Sequence, residues 1–377
     1  MKVRTVLVAS CVSLVFLGKA LGAAPDASPA QATLETTADP DGTLRVPALS
    51  LPPSEFWSDS FRASFASMAT WLTSNRSYKQ PEPTAAKAQW DAYDAQCDRS
   101  NADTLAWQRA NYPVDVVEKS FADVRTALVT PMGGASTANR NRILIELRGG
   151  SCGGLVGLTE GIPVAHFGKI PVLVVDYRPA PRHKYPASID DVVAVYEAQL
   201  KQHKPQAIGV FGTSGGGMLA TQVMAALQRK GLPQPGAVGV FWAGITDYPY
   251  PFGKFGDSVL WELGGVPRAD HTAYKALIAQ LSGYMSDVPA NDPVGYPGSS
   301  DEVLRKFPPT LVLTGTRALD MSAAVVSHRR LARLGVDASL YVMEGGWHAA
   351  SYGTHGSPEE IDVNTYIGRW FDRHLAR

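Results

Sequence analysis

From Tyr112 onward the chain alternates short apolar runs with segments whose apolar residues recur every three or four positions. The runs "RILIELR", "PVLVVDYR", "AIGVFGT", "AVGVFWAG", "PTLVLTGT" and "ASLYVMEG" read as strands, and "VVEKSFADVRTALVTP" reads as a leading pair of strands. Between them "SIDDVVAVYEAQLKQH", "GMLATQVMAALQRKG" and "SAAVVSHRRLARLG" carry helical periodicity. Strands that are nearly all apolar and alternate with helices predict an α/β fold, with a mostly parallel central sheet covered by helices on both faces. Such sheets bind ligands at the carboxyl ends of their strands, so chemistry is expected in the loops that follow the strands.

The N-terminal third has a different texture. Lys2 and Arg4, an apolar run over residues 6–17 and small residues around Ala20, Gly22, Ala23 and Ala24 have the build of a secretory signal peptide, too short to span a bilayer. Cleavage is expected near Ala23; the lipoprotein-like Val8, Ala9, Ser10 and Cys11 would leave most of the apolar run behind. Residues 24–50, rich in Ala, Pro, Thr and Asp, read as a flexible leader. Trp57, Phe61, Phe65, Met68 and Leu72 then form the stripe of an amphipathic helix that packs on the core or roofs a pocket. A long excursion over 245–306 separates two strands and is expected to form part of a lid. The chain thus divides into a signal peptide at 1–23, a flexible leader and N-terminal cap helices at 24–110, and a catalytic domain at 111–377 with a cap-like insertion at 245–306. Export to the periplasm or the medium would permit a disulfide, and only Cys97 and Cys152 remain after cleavage; a bridge and two free thiols both stay open.

Charge narrows the partners. Thirty-five Lys and Arg balance 35 Asp and Glu, which favours neither nucleic acid nor stable membrane insertion and points to a small neutral or apolar substrate. The histidines show no paired spacing with carboxylates that suggests a metal site, and no glycine motif has a phosphate- or dinucleotide-binding form, so no metal and no cofactor are expected.

Two stretches spell G-x-S-x-G, the serine-hydrolase nucleophile pattern: "LRGGSCGGL" around Ser151 and "GVFGTSGGGML" around Ser214. In a chain with 35 glycines the match alone says little. A nucleophile elbow needs a strand, a sharp turn and an immediate helix. Ser214 has all three, with a strand at 208–212, three glycines at the turn and a helix at 218–230. Ser151 follows a strand at 143–147, but no strong helix signal comes at once; its loop suits an oxyanion hole of backbone N–H groups instead.

"LRGGSCGG" is similar to the His-Gly-Gly-Gly loop of the hormone-sensitive-lipase-like branch of α/β-hydrolases. "DYRPAPRHKYPASIDDVVAVY" resembles that branch's Tyr-Arg-Leu-Ala-Pro-Glu-His segment, and "GTSGGG" its Gly-Asp-Ser-Ala-Gly-Gly elbow. The likeness runs from about Tyr112 to the C-terminus. It implies an α/β-hydrolase fold with a helical cap, and oxyanion donors at Gly150, Ser151 and Gly215. Arg148 departs from the family's histidine and Ser151 from its third glycine, but backbone donors survive both changes; the arginine would reshape the loop, reach substrate or form a structural salt bridge. Tyr177, Arg178, Asp190 and Asp191 fall in the segment that braces the fold.

Chain order in this family runs serine, acid, histidine. Ser214 is then the nucleophile and His348, in the loop after the last strand, its base; His355 lies further from that strand end. Where the family has its aspartate this chain has Ala318, so the acid is read as Asp320, with Asp247 after the preceding strand as the alternative. The function expected is an exported serine carboxylesterase acting on small to medium esters through an acyl-enzyme. A lactone hydrolase using the same triad and a non-catalytic binding protein on a hydrolase scaffold are the alternatives; the oligomeric state stays open.

Overall fold

A computed structural model describes residues 37–38, 40, 44–45, 52–74, 80–247, 284–285 and 287–376. The signal peptide, most of the leader and much of the insertion at 245–306 lie outside the described residues. Met1–Leu49 forms a unit of its own, in which β1 (Thr37–Ala38) pairs antiparallel with β2 (Leu44–Arg45).

The second unit, Ser50–Arg377, is built on one eight-stranded sheet. Its strands are β3 (Val114–Phe121), β4 (Val124–Pro131), β5 (Ile143–Leu147), β6 (Val172–Val175), β7 (Ile208–Thr213), β8 (Ala237–Phe241), β9 (Thr310–Gly315) and β10 (Ala338–Met343). They lie in the order β10-β9-β8-β7-β5-β6-β4-β3. β3 and β4 form an antiparallel hairpin closed at Phe121 and Val124, with Ala122 and Asp123 both at positive φ, the backbone that matches a two-residue hairpin turn to strand twist. β4 runs antiparallel to β6, and every other pairing is parallel. Each apolar run identified in the sequence is one of these strands.

Burial explains why the inner strands read as continuous apolar runs. Every residue of β5 to β9 is buried, and alternate side chains serve two cores. On β5, Leu144 enters a core shared with α3 (Leu158–Gly168) and α8 (Pro358–His374), while Ile143, Ile145 and Leu147 enter one shared with α4 (Ala187–Leu200), α5 (Gly215–Arg229) and α7 (Met321–Arg333). A short α6 (Asp301–Arg305) lies between β8 and β9 in the chain.

Ahead of the sheet stand α1 (Asp59–Ser74) and α2 (Lys87–Asn111). Trp57 and Phe61 from the predicted stripe are buried, and Phe61 stacks on Trp347 with ring centroids 4.7 Å apart. The helix α3 had no clear signal in the sequence because its residues 158–165 are all buried and it contains Gly161 and Pro163, so no polar face marks a period. Pro163 has no N–H for the Thr159 carbonyl four residues back, and that carbonyl instead accepts Gln108 Nε2 of α2 at 2.9 Å.

Candidate active site

The site is assembled at the carboxyl ends of β5, β7, β9 and β10. Ser214 sits between β7 and α5 at φ 55° and ψ −119°, a region that a non-glycine residue occupies only when its surroundings enforce it. The enforcement is a close approach: a Cβ on Gly216 would overlap the Leu147 carbonyl, and one on Gly212 would overlap the Gly216 carbonyl. Glycine at both positions lets the start of α5 rest on the strand ends, and Ser214 N donates to Phe241 O at 2.8 Å.

His348 Nε2 lies 2.9 Å from Ser214 Oγ, and its Nδ1 lies 2.7 Å from Asp320 Oδ1. Asp320 is fully buried at the start of α7, and its Oδ2 accepts the Thr314 hydroxyl at 2.6 Å. With Nδ1–H donating to this carboxylate, the Nε2 lone pair faces the serine. The histidine loop is held from two sides. Trp242, buried at φ 51°, donates its indole N–H to Ser351 Oγ at 2.8 Å and sets its ring 6.4 Å from the imidazole. From the other side, Trp57 donates to Glu344 O at 3.2 Å beside the Phe61 and Trp347 stack.

The other candidates go elsewhere. Asp247 stands 4.0 Å from Arg330, which also binds Asp301 at 2.8 Å. His355 lies over the Trp107 ring at 5.4 Å.

The loop after β5 lies flush with the elbow. A Cβ on Gly149 would stand 3.0 Å from Thr213 O, and one on Gly215 would stand 3.9 Å from Gly150 N. Gly150 is at φ 71°. The Ser151 hydroxyl is engaged by Tyr93 of α2 at 2.9 Å. Cys152 is joined to Cys97 of the same helix, with Cα atoms 6.2 Å apart, and Gly153 N donates to Asp94 at 2.8 Å. Burial raises the Asp94 carboxyl, but hydrogen bonds from Arg182 and the Gly153 N–H outweigh it and hold the group below the usual carboxylate value. Arg148 is buried and turned into the protein. It donates to Cys152 O at 2.7 Å and Tyr177 O at 2.9 Å, lies 4.2 Å over the Tyr177 ring and sits 3.7 Å from Asp176. Arg178 pairs with Asp191 at 2.7 Å.

Sequence reasoning missed Tyr93 and Asp94, although with Cys97 they occupy one helix face, and it missed the buried carboxyls Glu146 and Glu160 beneath the loop. An acidic residue inside the apolar run "RILIELR" was the available signal. No group of His, Cys, Asp and Glu able to hold a metal occurs among the described residues.

A family model describing the alpha/beta hydrolase fold matches residues 163–351, half of the 377-residue chain. The carboxylesterase/phospholipase LipF of Mycobacterium tuberculosis is 25% identical over 259 residues, which cover 64% of this chain and 65% of LipF. The chain therefore aligns with just under two thirds of that relative. An esterase of Gibberella moniliformis is 28% identical over 193 residues, 47% of this chain and 56% of its own. Among solved structures, an esterase named E25 superposes with a TM-score of 0.71 at 28% identity, covering 88% of this chain and 99% of that one. An esterase from the bacterial hormone-sensitive lipase family, at 19% identity, a TM-score of 0.63 and coverage of 85% and 99%, shares the fold. The strand order, the glycine-enforced serine turn and the matched family model agree: this chain belongs to the α/β-hydrolase family.

Proposed function

We propose that the protein is an exported serine carboxylesterase that cleaves small to medium esters through an acyl-enzyme. The observation that carries this reading is the hydrogen-bonded run from Ser214 through His348 to the buried Asp320, on a family scaffold whose named relatives are esterases. His348 takes the Ser214 proton as the oxygen attacks the ester carbonyl, and Asp320 holds the imidazole in the tautomer that can accept it. The N–H groups of Gly150, Ser151 and Gly215 stabilise the oxyanion, and the approach of the Gly149–Ser151 loop to the elbow supports their convergence. His348 returns the proton to the leaving alcohol, and water activated by the same imidazole releases the acid. A disulfide between Cys97 and Cys152 suits an oxidising compartment, which supports export and the signal peptide read at 1–23.

The deciding experiment compares the wild-type protein with Ser214→Ala on nitrophenyl esters from acetyl to octanoyl. Turnover should nearly vanish in the variant, and a sulfonyl fluoride should label the wild-type protein on the peptide containing Ser214. Equal rates from the two proteins would sink the reading.

A further inference from the structure

Two carboxyl side chains lie buried together under the loop that carries Gly149 and Gly150. Glu146 is the fourth residue of β5 and is 0% exposed; Glu160, in the first turn of α3, is 9% exposed. The two carboxyl groups lie close enough to act directly on each other. Neither oxygen of Glu146, nor Glu160 Oε2, has a hydrogen-bonding partner among the N–H and hydroxyl groups around them. The start of α3 walls the pair in, since a Cβ on Gly157 would collide with Glu146 Oε2.

Glu160 touches the Gly149 loop and the end of β7, and it is linked to the His348 loop through Thr213. Glu160 Oε1 accepts the Gly149 N–H at 3.2 Å. Glu160 also meets the hydroxyl of Thr213, the residue before Ser214, and that hydroxyl lies 3.3 Å from the hydroxyl of Tyr352 on the His348 loop.

Charge decides the protonation. Two carboxyl groups in contact can bond to each other only if one carries a proton, and two carboxylates at that spacing cannot both ionise cheaply. The charged and titratable groups that act on them are Arg148, Tyr177 and Tyr352. Burial keeps both tyrosines protonated. One negative charge over the pair is therefore favoured by the Arg148 guanidinium, whose positive charge acts on both carboxyls.

We propose that Glu146 and Glu160 share a single proton, and that this acid pair is the positioning unit that aims the oxyanion loop at Ser214. The proposal rests on the esterase reading for its catalytic consequence, but the shared proton does not. Losing the proton sets a second negative charge behind the place where the oxyanion forms, and repulsion within the pair loosens its hold on Gly149. Burial, first, and then each other's charge push the Glu146 carboxyl above its ordinary value of 4.5, and burial does the same for Glu160. Above 4.5 and up to the raised value the folded protein binds more protons than the unfolded chain, so the pair's contribution to stability falls as pH rises through that window.

Glu146→Gln gives Glu160 a fixed N–H with no proton to lose, and Glu160→Gln does the reverse. Infrared difference spectra of wild type against Glu146→Gln near neutral pH should contain the carbonyl band of a protonated carboxyl, which disappears at alkaline pH. The variant's melting temperature should fall less on the alkaline side, by about 2 °C or more. Its kcat on a nitrophenyl ester should stay within about threefold of wild type at neutral pH and persist to higher pH, with KM unchanged. Should Glu146→Gln fail to fold, Glu160→Gln carries the same measurements. Absence of the carboxyl band at neutral pH, or melting and kcat profiles parallel to wild type in both variants, would overturn the proposal. Equal ester hydrolysis by wild type and Ser214→Ala would instead overturn the esterase reading, with the band and the melting profile still deciding the shared proton.

Discussion

Ala318 and Asp320 differ by two positions, yet only the second brings a carboxylate to His348. Asp320 opens α7, where one oxygen reaches the imidazole and the other takes the Thr314 hydroxyl, so a fully buried charge has both of its oxygens bonded. If Asp320 is the acid, Asp320→Asn should lower kcat by about 10⁴, the loss expected when the histidine is left in the wrong tautomer. Asp247→Asn, beside Arg330, should stay within about threefold of wild type, and steady-state rates on one ester separate the two. At Ser151 the contribution assigned to catalysis is the backbone N–H, while the hydroxyl binds Tyr93. Ser151→Ala should therefore lose less than about tenfold in kcat, well short of the 10² to 10³ that follows removal of a donor.

Among the elements, α2 has the most specific relation to the site. Tyr93, Asp94 and Cys97 fall on one face of the helix and meet Ser151, Gly153 and Cys152 in turn, so three ties hold a glycine-rich loop that has few side chains with which to hold itself. Replacing both cysteines by serine should lower stability by about 4 kcal/mol, the chain-entropy value for a closed loop of 55 residues, as measured by urea unfolding. Asp94 acts on the acid side. Its carboxyl is held below 3.8, so its stabilising contribution is complete above that value and is lost as pH falls through the lowered one. Asp94→Asn should then show a shallower loss of melting temperature below 3.8 than wild type. On the opposite side, α1 supports the histidine loop through Phe61. Phe61→Ala should cost about 3 to 5 kcal/mol.

Across the whole molecule, stability and chemistry occupy opposite ends of the strands. Arg142, just before β5 and buried, donates to Asn139 at 2.8 Å, to Asp372 at 2.7 Å and to Ala376 O at 3.0 Å, and it also bonds the Leu375 carbonyl. It thus ties the start of a central strand to the end of α8, away from Ser214. Arg142→Leu should destabilise by about 3 kcal/mol, because several carbonyls lose a charged donor. The kcat of the folded fraction should not change, which unfolding and steady-state assays on the same preparation would establish.

Much of this architecture was written locally. The inner strands are apolar on both faces because both faces are covered, and that burial imposes the same unbroken apolar runs that identify them in the sequence. The serine turn was legible for a similar reason: Gly212 and Gly216 are required by contacts within a few residues of Ser214 and with the neighbouring strand end. The helix α3 was not legible, because full burial erases the polar face on which periodicity depends. Strand order, the pairing of α2 with the loop after β5 and the choice between two aspartates join positions far apart in the chain; Ser214 and His348 alone are separated by 134 residues. Local sequence thus determined which segments become strands and where a serine could stand strained at a strand end. Tertiary packing alone decided which acid meets the histidine and that Glu146 and Glu160 are buried beside each other, because only the packed chain brings such distant positions together.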